Sequence, residues 1–78
     1  MGASLNRALP ERASRQLELL ALRSLELADR VAAGEIRLLD AVDVAYEAAV
    51  WSGLVDTVGD DIVQATIAAA FANARRPA

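Results

Sequence analysis

Residues 11–34 read ERASRQLELLALRSLELADRVAAG, and their apolar positions recur with the 3.6-residue period of an α-helix. At 100° per residue, one side of this helix is apolar and the opposite side is charged. The pattern predicts a long first helix that ends at about Ala33, where Gly34 supplies a left-handed stop. The predicted core side consists of Leu17, Leu20, Ala21, Ser24, Leu27, Ala28 and Val31.

Some leucines of this helix do not fit the apolar side. Leu19 and Leu22 fall among the charged residues opposite the predicted core, and Leu25 falls at the boundary. One small core does not need these side chains. An excess of large apolar residues on a chain with this composition indicates a surface for another protein.

A second helix is predicted after a connector over 35–39. Asp40 is expected to be its N-cap, with Asp43 three residues later as a weaker form of the capping box. The helix should end at Ser52 and Gly53, because glycine favours the left-handed conformation that closes helices.

The rest of the chain is also helical in character. Residues 54–58 suffice for a single helical turn, and a last helix should begin at 59–61 and fade from Asn73 onward. Alanines along this helix permit close approach, either within the chain or against a second copy. Since no segment alternates with the period of a strand, we expect an all-α fold: a small bundle of three main helices, with or without a short fourth helical turn.

The second helix repeats the anomaly of the first. Its inward side is predicted to consist of Val42, Ala45, Tyr46 and Ala49. Val44 and Trp51 instead project beside acidic residues, and an aromatic anchor with a charged border is typical of protein-binding surfaces. A sandwiched middle helix would need two apolar sides, and Trp51 would then belong to the core. The sequence leaves both interpretations open.

The residues that usually perform chemistry are almost absent. The chain contains no His, no Cys and no Lys, and it has one tyrosine. We therefore expect no enzyme activity, no cofactor and no metal site. Asp56, Asp60 and Asp61 lack the order of a calcium-binding loop, and carboxylates at the spacing of Asp40, Asp43 and Glu47 are typical of a solvated helix edge.

Size and composition bound the class of protein. The chain has 78 residues, which suits one domain. We expect a flexible segment over 1–9, a single helical domain over 10–75 and a flexible tail over 76–78. No apolar run has the length of a signal peptide or a membrane span, so the sequence predicts a cytoplasmic protein without a membrane partner.

Charge is unevenly distributed along the chain. Residues 35–61 hold seven acids against Arg37 alone, a local charge of −6 within a net charge of −3. Such a block disfavours direct DNA binding and favours a basic protein surface as the partner, with a solvated acidic face as the alternative. A helix–turn–helix over 40–75 is conceivable, but its reading helix would carry no cation before Arg75.

Two segments resemble a known family. LADRVAAGE at 27–35 and AVDVAYEAAVWSGLVDTVGDDIVQATIAAAFANARR at 41–76 are similar to the QseM-like antiactivators of rhizobial integrative and conjugative elements. The resemblance covers most of the chain through its overall character and not through a single motif. It implies a protein that binds transcriptional activators, including LuxR-type quorum-sensing regulators of the TraR kind, and keeps element excision and conjugative transfer off.

The sequence therefore predicts a non-enzymatic antiactivator that binds a transcriptional activator. The expected anchors are Leu19, Leu22, Val44 and Trp51, and the expected acidic rim is Asp40, Asp43 and Glu47. Two alternatives remain: a helix–turn–helix DNA-binding regulator or a subunit of one, and a structural homodimer whose extra leucines contact each other.

Overall fold

The structure is a computed structural model that describes residues 11–74. Over this range the chain forms no strand and four helices: α1 (Glu11–Ala32), α2 (Leu38–Trp51), α3 (Leu54–Val58) and α4 (Asp60–Ala74). Each helix contacts the other three, and α1 makes the most extensive contacts, with α4 and α2. The predicted all-α bundle of three main helices is confirmed, with α3 as the short fourth helix. The predicted segments 1–9 and 76–78 lie outside the described residues.

The end of α1 is a Schellman motif. Gly34 has a φ of 79°, the left-handed conformation predicted for it. Its N–H donates to the Val31 carbonyl at 3.0 Å, and the Glu35 N–H donates to the Arg30 carbonyl at 2.8 Å. These two bonds satisfy carbonyls that the last turn of a helix otherwise leaves without partners. The chain then reverses into α2.

The predicted start of α2 is wrong. Asp40 is not the N-cap, because the helix begins at Leu38 and Arg37 occupies the N-cap position in an extended conformation without a side-chain cap. The Ala41 N–H already donates to the Arg37 carbonyl at 3.0 Å. Packing explains the shift: Ile36 is held against the core, so the helix starts directly after it. Asp40 lies in the first turn, where its negative charge interacts favourably with the positive end of the helix dipole.

Small residues bring α1 and α2 close together. Ala41, Ala45 and Ala49 recur every four residues on α2 and are all buried. Because none of them extends beyond a methyl group, the core side of α1 can approach the α2 backbone closely. The predicted core side of α1 is confirmed, with Leu20, Ser24, Leu27 and Ala28 buried and Leu17, Ala21 and Val31 half-buried.

The short helix α3 closes one end of the core. Leu54, its first residue, is 1% exposed and is one of the largest fully buried side chains. It contacts a cluster that includes Val63, Ile67 and Phe71 of α4. Most alanines of α4 do not share this burial: Ala70 is buried, whereas Ala65, Ala68, Ala69 and Ala72 are exposed. Within 11–74 no helix combines the length and apolarity needed to cross a bilayer.

A hydrogen-bond network fixes the start of α4 against α2. The Tyr46 hydroxyl donates to one carboxylate oxygen of Asp60, and Gln64 Nε2 donates to the other at 2.7 Å. Asp60 follows Gly59, whose φ of 98° and ψ of 153° belong to a region that is essentially reserved for glycine. The turn thus delivers Asp60 to Tyr46 at the positive end of α4.

This network predicts a pH dependence of stability. The hydrogen bond to Asp60 raises the pKa of Tyr46 above its ordinary value of 10.0, with smaller contributions from burial and from the Asp60 charge. The native state therefore favours the neutral hydroxyl, so the stabilisation is complete below about pH 10 and is lost as the pH rises through the raised pKa. We expect the urea midpoint of the native chain to exceed that of Tyr46→Phe at pH 8, and this difference to shrink as the pH rises through the raised pKa. Equal midpoints at pH 8 would contradict the assigned role of the bond.

Replacement of the buried residue Ser24 is expected to stabilise the fold. Its side chain is fully buried, and its Oγ has no hydrogen-bond partner in the part of the chain that the structure describes. Removing an unsatisfied buried hydroxyl eliminates its desolvation penalty, so Ser24→Ala should raise the free energy of unfolding by about 1 kcal/mol. Urea denaturation followed by circular dichroism measures the change. Ser52→Ala is the matched control, because the Ser52 hydroxyl donates to the Ala49 carbonyl at 3.1 Å. The control should show no gain.

Candidate protein-binding surface

The outward side of α2 is exposed along its whole length. We call this side the outer face of α2, and it consists of Asp40, Asp43, Val44, Glu47 and Trp51. Trp51 is 86% exposed and Val44 is 47% exposed. The two lie seven residues apart, about 10 Å along the helix axis. The acidic side chains lie along one flank of this pair, on the side away from α1.

The alternative in which Trp51 belongs to the core is wrong. The side of α2 that faces the bundle is its alanine side, Ala41, Ala45 and Ala49. The other two long helices, α1 and α4, both lie toward that side, and α3 has only five residues. No helix between residues 11 and 74 therefore covers the outer face of α2, and α2 needs only one buried side.

The electrostatics of the outer face are uniformly negative. Asp40, Asp43 and Glu47 give α2 three carboxylates and no cation. The imbalance extends further, since residues 38–74 contain six acids and neither Arg nor Lys. Within 11–74, no three His, Cys, Asp or Glu side chains are grouped so that they could hold a metal ion. A cationic protein surface is the natural complement of such a face.

The leucines of α1 separate into two directions. Leu19 is 64% exposed and lines a depression between α1 and α2, which it shares with Arg23, Ala48 and Ser52. Leu22 is also exposed, at 60%, but it does not line this depression. By the helical period it lies about 60° farther from α2. The structure therefore places Leu19, but not Leu22, beside α2.

Arg23 connects Leu19 to Val44. A second depression between α1 and α2 is lined by Val44, Leu27, Arg30 and again by Arg23. Leu19 and Val44 thus belong to one surface along the line where α1 and α2 meet. Arg23 and Arg30 lie on its α1 side, opposite the carboxylates of α2. Trp51 lines neither depression and projects into solvent at the end of α2.

The sequence interpretation missed several exposed apolar residues. Leu39 is 76% exposed, Val50 is 48% exposed, and Leu38 and Ile62 are close to 40%. The predicted connector over 35–39 includes Leu38 and Leu39, but these residues begin α2. The spacing of Leu39, Asp43, Tyr46 and Val50 was the available signal, because positions i, i+4, i+7 and i+11 share one side of a helix.

Comparison of the chain with protein-family models, with curated proteins and with solved structures gives no match. The resemblance to the QseM-like antiactivators stays a prediction.

Proposed function

We propose that this protein is a non-enzymatic antiactivator: it binds and sequesters a transcriptional activator, a LuxR-type quorum-sensing regulator or a related protein, and so represses excision and conjugative transfer of a mobile element. The observation that carries the proposal is the exposure of Trp51, 86%, on a helix face whose charged residues are all carboxylates. A large aromatic side chain held in water on a rigid helix is the usual anchor of a protein interface. The resemblance of the sequence supplies the class of partner.

The surface has a role for each kind of residue. Burial of Trp51, Val44 and Leu19 against a partner would supply affinity, at about 25 cal/mol for each Å² of apolar area removed from water. The carboxylates of the outer face would attract the cations of an activator, speed the encounter and set the orientation. An activator held in this way is withdrawn from its promoter.

DNA binding by this chain is the weaker alternative. A helix that reads DNA carries cations for phosphate contact and side chains that reach base edges. Over 38–74 there is no Arg or Lys, and the exposed residues of α4 that the structure describes are alanines, two aspartates, Ile62 and Gln64. Retardation of duplex DNA in a gel-shift experiment at low salt would revive this alternative, because phosphate contacts are strongest there.

A homodimer is favoured by one observation, the exposure of Leu19 and Leu22 on α1. If these side chains contact a second copy, the mass measured by light scattering should rise with concentration. A Leu19→Glu, Leu22→Glu double variant should then stay monomeric. A native chain that is monomeric at every concentration excludes the homodimer.

The proposal is tested by capture of the partner. The tagged chain is used as bait in a native bacterial lysate, and the co-purified proteins are identified by mass spectrometry. Recovery of a LuxR-type or other transcriptional activator, followed by reconstitution of the complex from purified components and loss of reporter transcription, supports the antiactivator. Recovery of the bait alone, with no complex on reconstitution, contradicts it.

A further inference from the structure

A groove lies between α2 and α4, on the opposite flank of α2 from α1. Its floor is apolar, formed by Val42, Ile67 and Phe71. Asp43 and Ala68 are exposed at its two edges. We call it the α2–α4 groove. Its volume of about 380 Å³ falls within the range of about 300–1,000 Å³ for ligand sites, but its exposed edges leave it open to solvent.

The apolar surface continues beyond the floor of the groove. Leu39 and Val50 are exposed on the same flank of α2, respectively before and after Asp43 and Tyr46. From Leu39 to Val50 the flank runs for eleven residues, about 16 Å or three helical turns. A groove between two helices that is continued by an apolar flank of this length suits a third helix, which would insert side chains at i, i+3, i+4 and i+7.

The charges around the α2–α4 groove select the partner. Within the described part of the chain, all charged side chains on α2 and α4 are carboxylates. Asp43 lies at one edge of the groove, and Asp60 lies near one end, bonded to Tyr46 and Gln64. An acidic peptide, a nucleic acid or a second copy of this acidic flank would meet like charge there. Cations beside an apolar stripe would meet opposite charge.

We propose that the α2–α4 groove is a second docking surface, which takes a basic amphipathic α-helix of a partner protein. The apolar side of that helix lies on Val42, Ile67 and Phe71. Its basic edges face Asp43 at the edge of the groove and Asp60 near one end. This surface goes beyond the proposed function, because it is about 120° around α2 from Val44 and Trp51. The two surfaces have separate apolar residues and share Asp43 at their border.

The test is titration of the ¹⁵N-labelled full chain with a synthetic helical peptide of 14 residues. The peptide carries Leu at i, i+3, i+4, i+7 and i+11 and Lys on both flanks of this stripe. We expect saturable amide shifts centred on the α2–α4 groove. A peptide with Glu in place of every Lys should bind at least about tenfold more weakly, because its charges repel Asp43. Added salt should weaken the Lys peptide.

Ala68 offers a matched pair of variants. Ala68→Arg places a bulky cation at the edge of the α2–α4 groove and should weaken the Lys peptide by about tenfold or more. Ala69→Arg makes the same change one residue later on α4, also at an exposed position, but about 100° away. It should change the affinity by less than about twofold. The amide spectra report whether both variants remain folded.

Several outcomes would overturn the proposal: no saturable shift, shifts centred on the outer face of α2, or equal loss in the Ala68→Arg and Ala69→Arg variants. Concentration-dependent broadening of the groove amides without peptide would assign the groove to a second copy instead. Trp51→Ala should leave peptide binding unchanged. Failure of peptide binding therefore leaves the antiactivator proposal standing, and failure of activator capture leaves the groove standing.

Discussion

A Trp51→Ala variant is expected to lose affinity for its activator by about 30-fold or more, while its helix content stays that of the native chain. Trp51 is 86% exposed and makes no part of the core, so its removal should change the free energy of unfolding by less than about 0.5 kcal/mol. A tryptophan buried at the centre of an interface commonly contributes about 2 kcal/mol or more, which corresponds to this fold-change.

The measurement is calorimetric titration of the purified activator with each variant, beside thermal unfolding by circular dichroism. Trp51→Phe should keep most of the affinity, since it preserves an apolar ring. Ile62→Ala is the matched control, because Ile62 is a partly exposed apolar residue on α4, away from the outer face of α2. Native affinity in Trp51→Ala would remove Trp51 from the interface. Unfolding of that variant would contradict the exposure of Trp51.

The exposed leucines Leu19 and Leu22 of α1 should differ in their contribution to binding in the same experiment. Leu19 lies beside α2 and shares a depression with Arg23 and Ala48, whereas Leu22 lies farther around α1. A partner seated on the outer face of α2 reaches Leu19 first. Leu19→Ala should therefore weaken binding more than Leu22→Ala. The reverse order would place the partner on α1 and not on α2.

The helical period accounts for most of what the sequence predicted correctly. Once the core side of α1 is identified, a step of 100° per residue determines the direction of Leu19 and Leu22. The same argument put Val44 and Trp51 beside Asp40 and Glu47, and all four are exposed. It could not determine whether another element covers them. That depended on the length of α3, which is too short to do so.

At the start of α2, the capping signal was less informative than packing. Asp40 has the side chain of an N-cap, yet the N-cap of α2 is Arg37, three residues earlier, because Ile36 packs against the core. This displacement also concealed Leu39, which the sequence interpretation placed in a connector. The α2–α4 groove could not be predicted by projecting each helix separately, because a gap between two helices depends on how their facing side chains pack.

The largest effect on stability is expected from Leu54→Ala. Leu54 is 1% exposed and contacts α4 residues in the core from the short helix α3. Removing its isobutyl group from a packed site should lower the free energy of unfolding by about 2–5 kcal/mol, through lost burial and the cavity left behind. Since a whole domain is stabilised by only about 5–15 kcal/mol, this loss is a large share of the total and should lower the urea midpoint clearly.

Leu39→Ala is the control for this prediction. It removes the same isobutyl group from Leu39, a helical residue that is 76% exposed. The free energy of unfolding should therefore change by less than about 0.5 kcal/mol. Urea denaturation of both variants under one set of conditions gives the comparison. Equal losses would mean that α3 does not close the core. The short helix α3 links the end of α2 to Gly59 and Asp60, so loss of the Leu54 side chain should also weaken the Tyr46–Asp60 hydrogen bond. In the Leu54→Ala variant, the amides of α4 near Asp60 should then exchange with solvent faster than those near Ala70.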